Sequence, residues 1–195
     1  EAMAERQITV ASVTYPLPKL FLVMATQNPI EQEGTYPLPE AQLDRFLLHV
    51  RIQYPDATAE KSILQLARTE ARAADIPTGL QNPIPQDSLF LAREQILDLH
   101  MAPALEDYIV SLVLATRQPG RYGQELAHWV EYGGSPRATI ALDRCARAYA
   151  WLSGKDFVAP GDIQAVAPDV LRHRLILSYE AEAEGVTPDR VVSEL

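Results

Sequence analysis

Leu20-Phe21-Leu22-Val23-Met24-Ala25, running into Thr26-Gln27-Asn28-Pro29, is the stretch on which the fold turns. A short unbroken apolar row suits a central strand covered on both faces, and Asn-Pro is a turn signal that ends it. Open α/β sheets bind ligands beyond the carboxyl ends of their strands, so Asn28 falls where a ligand would sit. Its neutral amide can donate to a phosphate oxygen and accept from a water at once. The plainer reading of Asn28-Pro29 is a turn and nothing more.

Outward from this stretch, Ile8-Thr9-Val10 and Val13-Thr14-Tyr15 alternate apolar and polar residues around Ala11-Ser12, which predicts a β-hairpin. Its turn lacks the Gly or Asn that two-residue loops prefer. On the other side, a short helix is expected over Glu40 to Phe46. A strand is expected where Leu48, Val50 and Ile52 alternate with His49 and Arg51, and a helix over Glu60 to Ala74, with Ile63, Leu64, Ala67 and Ala71 on one face. Residues 1–87 hold nine of the 15 prolines.

Beyond a Pro- and Gly-bearing stretch the chain reads as helices over 88–100, 103–117, 135–153, 160–173 and 187–195. Asp87 or Ser88 can cap the first, and Thr187-Pro188 suits the start of the last. The expected organisation is an α/β part over 1–75, a linker over 76–87 and a helical unit over 88–195. The fold class is therefore α/β plus all-α.

Lys and Arg number 17 and Asp and Glu 26, a net charge of −9. That balance disfavours coating nucleic acid or an anionic membrane. One cysteine excludes an internal disulfide and a cysteine-cluster zinc site. No apolar run approaches the roughly 20 residues of a membrane span. No basic-then-apolar leader opens the chain, so a cytoplasmic location is expected. The first residues, Glu1 to Arg6, read as the interior of a longer protein.

Two arginines join Asn28 as candidates. Arg45, in Leu43-Asp44-Arg45-Phe46, offers a fixed charge and a planar fork suited to a transferring phosphoryl group; otherwise it is a solvated Arg pairing with a carboxylate such as Glu40. In Gly133-Gly134-Ser135-Pro136-Arg137, Ser135 reads as an N-cap and Pro136 as the first helical residue. The macrodipole opposes a cation in that first turn, while the free N–H groups there favour an anion. Arg137 therefore gains most by sharing a bound phosphate, and otherwise points into water. Glu31, Glu33 and the acidic stretch Glu180 to Glu184 read as solvated, the last as a turn or helix end. The four histidines lack metal-ligand spacing. Cys145 lies on an apolar stripe of Ala138, Ala141, Leu142, Tyr149 and Leu152 and reads as core; Trp129 and Trp151 read as packing residues.

Ala25-Thr26-Gln27-Asn28-Pro29, the run from Glu31 through Gly34-Thr35-Tyr36-Pro37-Leu38-Pro39-Glu40-Ala41, Leu43-Asp44-Arg45-Phe46 and Gly134-Ser135-Pro136-Arg137-Ala138, in this order, resemble the MoxR branch of AAA+ ATPases. The resemblance spans nearly the whole chain, down to Tyr179–Gly185. It implies the C-terminal part of a P-loop α/β core followed by a helical lid, with the hairpin as the insert before sensor 1. It further implies Asn28 as the sensor 1 residue that orients the attacking water, Arg45 as the arginine finger reaching a neighbour's nucleotide, and Arg137 as the sensor 2 residue of the lid. ATP and Mg²⁺ are the implied substrate and cofactor. A hexameric homo-oligomeric ring is the implied assembly, with a client protein and a von Willebrand factor A-type protein as partners.

The 195 residues contain no G-x-x-x-x-G-K-[ST] loop and no acidic pair ending a strand. The chain by itself is thus expected to have negligible ATPase activity and weak nucleotide affinity, and to associate through an uncovered Leu20–Ala25 strand. The rival reading is a helical protein-interaction module without nucleotide chemistry; a DNA-binding helical domain conflicts with the charge.

Overall fold

The computed structural model describes residues 2–3, 5–27, 38–72 and 82–195. Asn28, Glu31, Glu33 and much of the expected linker lie outside the described residues. The hairpin forms as its alternation predicts. Strand β1 (Gln7–Val10) pairs antiparallel with β2 (Val13–Pro16), Ile8 facing Tyr15 and Val10 facing Val13. Its turn takes φ of 48° at Ala11 and 68° at Ser12. Positive φ at both central positions matches the strands' twist, and a side chain there costs about 1 kcal/mol or more.

The two other expected strands do not form. Residues 21–27 and 47–56 have no regular structure, and Leu22, Met24 and Ile52 are 82%, 81% and 94% exposed. A strand gains its stability from N–H and C=O groups on a neighbour. The sheets among the described residues are two pairs, β1–β2 and one in the helical unit, and neither run joins them. Helix α1 (Glu40–Leu43) is also shorter than expected, closing in a tight turn in which the Phe46 N–H donates to the Leu43 carbonyl. Helix α2 (Ala57–Arg72) starts on Asp56, whose carboxylate accepts the Ala59 N–H at 2.7 Å; its amphipathic face buries none of its residues.

The helical unit is built from α3 (Gln86–Asp98), α4 (Pro103–Arg117), α5 (Gln124–Trp129), α6 (Pro136–Leu152), α7 (Pro160–Leu171), α8 (Tyr179–Ala183) and α9 (Pro188–Glu194). A small antiparallel pair, β3 (Val130–Tyr132) with β4 (Ile176–Leu177), ties its middle to its end. Helix α3 begins after Pro85 with no side-chain cap, so neither Asp87 nor Ser88 has that role. Thr187 does cap α9, accepting the Arg190 N–H at 3.3 Å. The acidic stretch 180–184 is largely helical, as α8, capped by Ser178.

Ile109, Val113, Leu142, Cys145, Ile163 and Leu171 anchor one core, between α4, α6 and α7. A second core gathers Leu126, Trp129, Leu177, Ala181 and Val191. Along α6 the buried line runs through Ala138, Ala141, Leu142 and Cys145, then to Ala146 and Ala150. Tyr149 and Leu152, expected on that stripe, are exposed. The alanines let α7, the neighbour α6 packs against most, come close. Burial pushes the Cys145 thiol up to about 11, which keeps it protonated and unreactive. Trp129 is buried under the Arg190 guanidinium, 4.7 Å from its ring centre, and Trp151 donates to Gln95 at 3.2 Å.

Candidate functional site

The site begins at the loop before α6. A Cβ on Gly133 would lie 2.4 Å from the carbonyl carbon and oxygen of Thr116, so only glycine lets the loop press onto the end of α4. The Gly134 N–H donates to the Thr116 hydroxyl at 2.9 Å, and Arg117 Nε donates to the Gly134 carbonyl at 2.7 Å. The loop is thereby fixed, and it delivers Ser135 to the N-cap of α6. The Ser135 hydroxyl oxygen accepts the Arg137 N–H at 3.1 Å, with Pro136 at the first helical position, as the sequence predicts.

The anion that Arg137 meets is Asp44. Its Oδ2 accepts from the Ser135 hydroxyl at 2.8 Å and from Arg137 Nη1 at 3.2 Å. Its Oδ1 accepts from Arg174 Nε at 3.1 Å. A carboxylate at the start of α6 is favoured by the helix dipole and by free backbone N–H groups, the same physics that would favour a phosphate. Burial raises the Asp44 pKa, but the hydrogen bonds from Ser135 and Arg137 and the Arg174 charge outweigh it and hold the carboxyl below its ordinary value.

The segment after Asp44 is gripped by the end of α7. The His49 N–H donates to the Asp169 carbonyl at 2.8 Å, and the His49 carbonyl accepts from Arg172. Arg172 also pairs with Asp169 and, at 2.8 Å, with Asp189, which Arg51 meets at 2.6 Å. His173 Nε2 lies 3.2 Å from the Phe46 carbonyl. Burial and the Arg174 charge push the His173 pKa down to about 4, so the ring is neutral near pH 7 and Nε2 carries the proton; Nδ1 is buried without a partner among the described residues.

Of the three sequence candidates, Arg137 lies at this junction, half-exposed and paired to Asp44. Arg45 is the next residue along, exposed, beside a groove with Arg6, Lys19, Phe21 and Phe46. It makes no ion pair among the described residues, with Glu40 or any other carboxylate. Asn28 lies outside them. Sequence reasoning missed Asp44, Arg174 and His173. The one available signal was the basic run Arg172-His173-Arg174 directly after an apolar helix. Among the described residues no group of three His, Cys, Asp or Glu side chains could hold a metal ion.

This arrangement sets an arginine at the start of α6 against the residue that precedes another, exposed arginine. Residues 1–48 match the ATPase family associated with various cellular activities, and residues 127–195 match the AAA lid domain. The chain belongs to the AAA+ ATPases. Within them it is of the MoxR type. It is 41% identical to Chaperone MoxR1 of Mycobacterium tuberculosis, over 100% of this chain and 50% of that protein. It is 34% identical to Protein MoxR of Methylorubrum extorquens, over 97% of this chain and 57% of that one. A solved structure of an inferred ATPase from Cytophaga hutchinsonii superposes with a TM-score of 0.89 at 44% identity, covering 98% of this chain and 57% of that chain. The chain thus spans about half the length of the curated relatives it matches. No helix among the described residues is long and apolar enough to cross a membrane.

Proposed function

We propose that the full-length protein hydrolyses ATP at the interfaces of a homo-oligomeric, hexameric ring, and that it works in the cytoplasm as a chaperone-like motor on a client protein, alongside a von Willebrand factor A-type partner. The observation that carries the reading is the Arg137–Asp44 contact, which sets one phosphate-suited arginine beside the residue that precedes another. Asp44 occupies a position at the start of α6 that suits a phosphate. An incoming phosphate competes for Arg137 and for the α6 N–H groups, and Arg137 binds it from the lid. Arg45, exposed and free of carboxylates among the described residues, reaches the nucleotide of the neighbouring subunit and stabilises charge on the transferring phosphoryl group. Asn28 orients the attacking water. The domain division into 1–75, 76–87 and 88–195 belongs to the same reading.

In the full-length protein, Arg45→Ala should lower turnover by roughly 10³–10⁵ while ATP binding survives. Wild-type turnover in that variant would sink the finger role. The 195 residues alone should show negligible ATPase activity. Calorimetry that found micromolar ATP binding by them would contradict that expectation.

A further inference from the structure

The side chain of Arg174 is 2% exposed, and it does more than neutralise Asp44. Nε donates to Asp44 Oδ1 at 3.1 Å. Nη1 donates to the carbonyls of Val170 and, at 3.3 Å, Leu47. Nη2 donates to the carbonyls of Asp44 at 3.2 Å and Phe46 at 2.6 Å. A guanidinium has five N–H groups in a rigid fork, so these contacts use the whole donor set. Between residues 44 and 47, Arg174 takes every carbonyl except that of Arg45. The backbone is clamped on both sides of the residue whose side chain faces outward. A lysine could balance the Asp44 charge but could not bracket this turn, because its donors radiate from a single point.

We propose that Arg174 is a positioning residue for Arg45, fixing the turn from which Arg45 is presented and tying that presentation to α7. This rests on the reading of Arg45 as the group that acts across the subunit boundary. A placement error of about 1 Å in such a group can cost on the order of 10²-fold in rate.

The test uses the full-length ATPase and the variants R45A, R174K and R45A/R174K, with ring assembly followed by light scattering. R174K should assemble, keep KM for ATP within about twofold and lose kcat by at least about tenfold. The double variant should be no slower than R45A alone, because a misplaced Arg45 and an absent one are equivalent. Full turnover in R45A would overturn the finger reading itself. A slow R45A alongside a fast R174K, or losses that multiply in the double variant, would overturn the positioning role alone. If R174K does not assemble, R174Q replaces it, since its amide keeps two donors for the carbonyls. Failure of both to fold would make Arg174 a stability residue and would also overturn the proposal.

Discussion

The two ends of this chain use similar apolar residues with opposite results. Among the described residues, none before Leu99 is buried, although Leu20–Ala25, Leu48–Ile52 and the face of α2 are as apolar as anything later. From Leu99 onward two cores form, with Leu142, Ile163 and Leu171 fully enclosed. For the two unpaired runs the difference lies in where each element finds its hydrogen bonds; α2 satisfies its own backbone, yet none of its residues is buried. A helix satisfies its own backbone and needs only a face to bury, whereas a strand needs another strand. The helical unit is complete in both respects; the α/β part is complete only in its hairpin.

That contrast can be broken most sharply by truncating one side chain in each half. Leu142→Ala should cost about 2–5 kcal/mol, and Leu22→Ala less than about 0.5 kcal/mol, in denaturant unfolding of this chain. Comparable losses at the two sites would show that residues 20–25 are packed after all. Gly133→Ala, which drives a Cβ into the Thr116 carbonyl, should cost about 1–3 kcal/mol by the same measurement and loosen the start of α6. An unchanged midpoint would mean that the loop has room to spare. Ser135→Ala removes a cap and a donor to Asp44 and should cost about 1 kcal/mol, read from the shift in thermal midpoint.

A further expected effect is a pH dependence of the junction between the halves. The His173 pKa is depressed in the folded protein, from 6.5 to about 4. The unfolded chain therefore binds the proton first as pH falls. Stability from the neutral ring is present above 6.5 and drains away between 6.5 and 4. Unfolding free energies across that window should fall for the native sequence and flatten in His173→Gln. Equal slopes would place the titration elsewhere.

The reach of the sequence follows the same division. Helix α4 appears at its expected bounds and α6 within a residue, because their periodicity, prolines and the Ser135 cap all agree. The short pieces α5, β3 and α8 carry too few residues for any period to show. The apolar run at Leu20–Ala25 has a strand's composition, but composition cannot say whether a neighbour is present to pair with it. At the site, Arg137 could be read from its place beside a cap. Asp44 and Arg174 could not, since they meet across 130 positions of chain and no local pattern links them.

The two oxygens of Asp44 serve different masters. One holds the buried Arg174, and the other faces Ser135 and the half-open Arg137. A carboxylate divided in this way can let go on one side without letting go on the other. Without the Arg137 contact, Arg174 would still hold the main chain around residues 44–47 against the end of α7. The junction thus combines an enclosed anchor with an open contact on a single carboxylate.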